Sequence, residues 1–137
     1  MGEAENRLVV DSAFAAWADG EGNVFDILAD DAQWTITGTS RFAGLYTSRQ
    51  EFLDEVIKPL GEVLAVPIRP TVRSIVADGD WVVVLWDGEA TATDGVPYNN
   101  SYCWHLRLHD SAVVEAIAFF DSISLNELLD RVARTDQ

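Results

Sequence analysis

Residues 98–122, YNNSYCWHLRLHDSAVVEAIAFFDS, are the longest aromatic and β-branched stretch of the chain, two strand-like runs joined by His109, Asp110 and Ser111. Strands of this composition are stable only when something packs against them, so this stretch limits what the remainder can build. Even positions carry Tyr98, Asn100, Tyr102, Trp104, Leu106, Val114, Ala116, Ala118 and Phe120, whereas odd positions carry Cys103, His105, Val113, Ile117 and Phe119. Side chains alternate across a sheet, and here both faces are apolar, the even one more aromatic. The hairpin therefore needs a cover on each side.

With 137 residues, 48% of them hydrophobic, the chain is sized for a single domain, 1–137, with a real core. Residues 3–19 space Val10, Phe14 and Trp17 by four and three, the stripe of an amphipathic helix ended by Gly20 and Gly22. Residues 23–31 read as a short helical piece capped by Asn23, with Val24, Ile27 and Leu28 inward. The period then changes to two, and Trp34 and Ile36 mark a half-buried strand followed by a loop over 38–47. Ser48 and Glu51 make a capping box for a helix whose apolar face is Phe52, Leu53, Val56, Ile57 and Leu60, with Pro59 near its end. Beyond Pro67 the strands expected are 72–77, 81–91, 98–108 and 112–122, separated by ADGD, TDGV and HDSA, an antiparallel meander. Ser124 and Glu127 make a second capping box for a closing helix over 125–134, after which the last residues fray. Helices first and strands later is the α+β pattern, a sheet curling around segregated helices.

Charge and targeting exclude several partners. The 23 acidic and 9 basic residues give a net charge of −14, and the basic ones are scattered, so neither nucleic acid nor an anionic membrane is an expected partner. No run approaches the roughly 20 apolar residues of a membrane helix. The opening MGEAENRL is acidic and precedes no apolar core, so a cytoplasmic protein is expected. The lone Cys103 offers neither a disulfide nor metal-ligand spacing, and no metal site or cofactor is expected.

The order of the helix, DDAQW, AGLYTSRQEF, ADGDWVVVLW, DGVPYNNSY and VVEAIAFFDS resembles the nuclear transport factor 2-like superfamily, and within it the SnoaL-like proteins, over about residues 11–121. That resemblance implies a curved, mostly antiparallel sheet forming a cone around N-terminal helices, with a short C-terminal helix and a pocket between them. It also implies frequent dimerisation through the outer sheet face. The group is similar to ketosteroid isomerases, which use a carboxylate base with a tyrosine and a protonated aspartate as oxyanion partners. On this chain those places fall at Ile36, near Ala13 and at Trp104, and all three groups are missing. The positions used by the related epoxide hydrolases fall at Trp34 and Ile36, near Trp86 and Gly88, and at Ala118, where a shift of one residue would turn Asp87 inward.

The even face instead offers Trp34, Trp86, Tyr102, Trp104 and Phe120, with Ile36 beside them, Asn100 as the one amide, and Tyr46 in a loop placed like a lid. Such a wall either grips a flat apolar small molecule or is a filled core whose rings touch one another. His105 lies on the odd face, away from the pocket, and Asp121 is either an acid at the pocket mouth or the cap of the last helix. Two functions follow. One is a cofactor-independent isomerase, cyclase or dehydratase using Tyr102, Asn100 and Asp121 for proton transfer on an apolar cyclic substrate. The other is a non-catalytic binding or accessory module that lost the family's acids. On the odd face, Val83, Leu85, Cys103, Val113, Ile117 and Phe119 form an apolar surface that a homodimer would cover.

Overall fold

The computed structural model describes residues 2–135; the fraying expected at the end of the chain falls partly outside them. The elements are α1 (Glu3–Ala18), a 3-10 turn (Val24–Ile27), β1 (Leu28–Ile36), β2 (Gly44–Tyr46), α2 (Arg49–Phe52), a π-helical stretch (Leu53–Ile57), α3 (Lys58–Glu62), β3 (Leu64–Asp78), β4 (Trp81–Ala92), β5 (Pro97–His109), β6 (Ala112–Phe120) and α4 (Ser122–Thr135). The six strands form one sheet in the order β2-β1-β6-β5-β4-β3. Every pairing is antiparallel except β1 with β6, so the first strand joins the meander beside its last. This is the expected α+β architecture, a cone-like sheet with helices on its inner side. No helix among the described residues is long and apolar enough to cross a membrane.

The hairpin of 98–122 is built as its alternation requires. Burial alternates along β4 and β5, with every even position from Val82 to Leu108 within these strands buried. Its turn is tight: Asp110 and Ser111 both take positive φ, 50° and 67°, the twisted two-residue connection that matches the strands' own twist. A register shift between Arg107 and Leu108 lies where β6 begins, and it corrects one parity. Val113, expected on the outer face, is fully buried in the core. A bulge puts two residues opposite one, so alternation restarts with its phase reversed.

Other boundaries also move. The 3-10 turn holds Asn23 as its cap, with Oδ1 accepting from Phe25 N at 2.8 Å. It ends at Ile27, so Leu28 to Asp31, expected as helix, already belongs to β1. The loop over 38–47 contains β2, which pairs with Trp34 to Ile36. β3 starts at Leu64 rather than at 72 and carries Pro67 and Pro70, which fits its place at the sheet edge, where a missing N–H breaks few ladder bonds. Ser48 Oγ accepts from Glu51 N at 3.1 Å, but Glu51 returns its carboxylate to Thr47 N rather than to Ser48, so the box is half formed. Helix 49–62 widens into its π turn just before Pro59. Proline offers no N–H to the turn below it, and the wider turn accommodates the break.

Candidate functional site

Between the inner face of the sheet, helix 49–62 and α4 lies a cavity of about 240 Å³. Trp34 and Ile36 reach it from β1, Trp86 from β4, Tyr98, Tyr102 and Trp104 from β5, and Ala118 and Phe120 from β6. These strands bring one parity to one concave surface because the side-chain period is two and the sheet is curved. Helix 49–62 closes the other side with Phe52, Val56, Ile57 and Leu60.

The indoles do two things at once. Trp34 and Trp86 both meet Trp104 edge to face, with ring centroids 4.9 and 4.8 Å away. Phe14 of α1 fills behind them, 5.5 Å from Trp86, while Trp17, 5.1 Å from Trp86, also reaches the cavity. That half is a packed core, yet a void remains in front of it. Trp86 Nε1 is buried without a conventional partner, and it sits among rings that Trp86 meets edge-on, where an N–H can still be met by an aromatic face. Tyr102 stacks on Trp86 at 4.1 Å and 11°. Gly88 makes this approach possible: a Cβ there would stand 3.0 Å from Tyr102 Cε1 and from Ile68 Cγ2.

The three residues assigned to proton transfer separate. Tyr102 lines the cavity, and burial, followed by the neighbouring Tyr98 hydroxyl, pushes its phenol well above the usual value. Asn100 is buried but does not line the cavity: its amide is taken up by Tyr98, Ser101 and Asp121. Asp121 is exposed and caps α4. Its Oδ1 accepts from Ile123 N at 3.0 Å and Ser124 N at 3.3 Å, and Ser124 Oγ donates to Oδ2 at 3.0 Å. The helix thus begins at Ser122, and the capping box expected at Ser124 and Glu127 is replaced by this cap. The Ser124 hydroxyl, then its N–H and that of Ile123, hold the Asp121 carboxyl below its ordinary value.

A carboxyl lowered on folding contributes stability that is present above its unfolded value and lost as pH falls through the folded one. Asp121→Ala is expected to lower stability by about 1 kcal/mol at neutral pH. The wild-type advantage should fade below about pH 4. Urea denaturation at both pH values tests this; an unchanged midpoint at neutral pH, with ligand binding lost, would return Asp121 to the site.

Tyr46 also stands apart from the cavity. It sits on β2, donates to the Phe42 carbonyl at 2.7 Å and packs behind Phe52. Phe42 is the loop residue that reaches the cavity. The loop is tied to α4 by Arg41 N donating to Asn126 Oδ1 at 3.1 Å and by an ion pair between Arg41 and Asp130. Asp87 points outward, bonded to Ser101 Oγ at 2.8 Å. His105 lies on the outer face against Phe119. Trp17, Phe25, Phe42, Phe52, Tyr98 and Leu125 line the cavity without having been singled out. Their signal was only that of apolar positions in helices and loops, except for Tyr98, which shares the even parity of Tyr102.

No Asp, Glu, His, Lys or Arg is among the lining residues. Among the described residues no group of three or more His, Cys, Asp or Glu is placed to hold a metal.

A family model described as SnoaL-like domain matches residues 10–116. No curated protein matches the chain. Solved structures do. A nuclear transport factor 2-like protein of unknown function from Burkholderia pseudomallei is 20% identical, with a TM-score of 0.75 over 90% of this chain and 95% of that one. TerC, co-crystallised with polyporic acid, is 19% identical, with a TM-score of 0.73 over 91% and 98%. AclR, a putative hydroxylase from Streptomyces galilaeus, is 17% identical, with a TM-score of 0.74 over 94% and 98%. At these identities the likeness is one of fold.

Proposed function

Since this chain belongs to the SnoaL-like domain family, we propose that it holds a neutral, largely apolar ring compound in the cavity, as a binding protein rather than an acid–base isomerase. The observation that carries this reading is the lining itself: about 240 Å³ walled by aromatic and aliphatic side chains, with no ionisable group except two tyrosines. Apolar cavities of about 150 Å³ already take up a benzene ring, so one or two fused rings match this space. A charged ligand would lose its hydration here and find no counter-charge. TerC was crystallised with a small molecule, which supports small-molecule binding in a fold of this kind.

Proton abstraction needs a base within reach of the substrate. Ile36 stands where the resemblance puts that base, and Asp121 is committed to α4. Burial raises both Tyr98 and Tyr102, so at neutral pH they keep their protons and offer no base.

Titration with naphthalene should give a saturable change in tryptophan fluorescence, because Trp17, Trp34, Trp86 and Trp104 line the cavity. A steroid enone should be turned over at background rate. Lack of any saturable signal would leave a filled core as the answer, and efficient isomerisation that survives Asp121→Ala would reveal a base elsewhere.

A further inference from the structure

Asn23 stands where two cavities meet. The apolar cavity and a wider recess of about 870 Å³ outside it share Trp17 at the end of α1, Asn23 in the connection that follows, and Pro67 and Ile68 near the start of β3. The cavity therefore opens between α1 and β3. Beyond that passage the lining turns polar, with Arg69, Glu89, Thr91 and Asn99. Arg69 lies opposite Glu89 in the ladder of β3 and β4, so the recess carries one charge of each sign.

A backbone N–H can only donate, so the approach of Phe25 N at 2.8 Å identifies the oxygen of the Asn23 amide. That oxygen is used up as the cap of the 3-10 turn. The amide is planar and forked, so Nδ2 faces away from the capped N–H groups. It donates to no group among the described residues. Nor is it sealed inside the protein, as Trp86 Nε1 is. Of the other residues at the passage, Pro67 and Ile68 have no polar side-chain atom and Trp17 has only its indole N–H. The amide nitrogen of Asn23 is thus a fixed, available donor at the mouth of an otherwise apolar cavity.

We infer that Asn23 is a specificity residue: its Nδ2 donates to the carbonyl oxygen of a short, neutral carboxamide side chain that leads from the ring compound out of the cavity. This rests on the pocket reading above and adds which end of the ligand faces outward. The ring stays among the aromatic side chains, and the polar end lies in the recess, where it keeps hydrogen-bonding partners. An amide suits this mouth because its oxygen accepts from Asn23 while its N–H can be met by the Glu89 carboxylate or the Asn99 side-chain oxygen. A carboxylate in the same place would meet Glu89 as well as Arg69 and gain no net attraction.

The test compares N-methyl-2-naphthylacetamide with 2-butylnaphthalene, the same outline with and without the amide, by calorimetry on the wild type and on Asn23→Ser and Asn23→Asp. Both replacements keep an oxygen that can cap the turn and remove the amide nitrogen. Each should lower the ratio of amide to alkyl affinity about fivefold. In the wild type, the NMR signals of the Asn23 side-chain NH₂ should move downfield with the amide compound and not with the alkyl one. An unchanged ratio in both variants would overturn the donor, and so would an equal loss for the two compounds, which would make Asn23 a cap and nothing more. Tighter wild-type binding of 2-naphthylacetate than of the amide would overturn the neutral side chain. In each of these cases binding of 2-butylnaphthalene leaves the pocket standing, whereas binding of neither compound would sink the pocket itself. If the variants do not fold, the wild-type NH₂ shift alone decides.

Discussion

Trp104→Ala is expected to cost about 3–5 kcal/mol of stability, the largest effect of any single substitution considered for this protein. Its indole is 5% exposed. It touches rings from four directions: Phe14 and Trp17 of α1, Phe25 of the 3-10 turn, Trp34 of β1, and Trp86 and Tyr102 of the neighbouring sheet positions. Removing it deletes transfer free energy and leaves a void, which rigid aromatic neighbours fill poorly. Since domains of this size are stable by only about 5–15 kcal/mol, such a loss takes a large share of the total. Urea unfolding measures it, and Trp104→Phe should recover part of it. A loss below about 1 kcal/mol would mean that the cluster collapses freely around the gap and that Trp104 belongs to the binding wall rather than to the core.

The second large effect concerns the outer face of the sheet. There Cys103 lies opposite Phe119, His105 opposite Ile117, Leu85 opposite Cys103 and Val83 opposite His105, one continuous patch. Phe119 is 47% exposed at its margin. Charged pairs flank it: Arg107 with Glu115 at 3.0 Å, and Arg73 with Asp87 at 3.7 Å. We propose that a second copy of the chain covers this patch, without the contribution of Val113 expected from strict alternation. Sedimentation should then show a dimer at micromolar concentration. Ile117→Asp should weaken association by about a hundredfold or more, because an unpaired charge would be desolvated at the interface. A wild-type monomer under the same conditions would remove the proposal, and the half-buried state of Val83, Leu85 and Ile117 in a single chain would then suffice to explain this face.

The sequence by itself determined the elements whose signal is local and repeated. The stripe of Val10, Phe14 and Trp17 became α1, and the even parity of β4 and β5 became the wall of the cavity. Asn23 became a cap, and Asp110 and Ser111 a tight turn. These follow from backbone periods and from side chains bonding to their own neighbours, which need no distant partner. The tertiary structure decided whatever depends on two distant segments meeting. The parallel pairing of β1 with β6, the reversed phase at Val113 and the early start of β3 arise from strand neighbours that no local pattern specifies. So does the fate of the polar candidates. Asn100 and Asp121 have the residue types of a site, but each spends its hydrogen-bonding capacity on backbone N–H and C=O groups at the end of β5 and the start of α4. Buried or terminal backbone groups must be satisfied, and the nearest amide or carboxylate is drawn to them. The Tyr98 hydroxyl is held the same way, by a bond from the amide that Ser101 and Asp121 orient. The void in front of the indoles likewise depends on how closely helix 49–62 and α4 approach the sheet, a distance set by packing across the whole core.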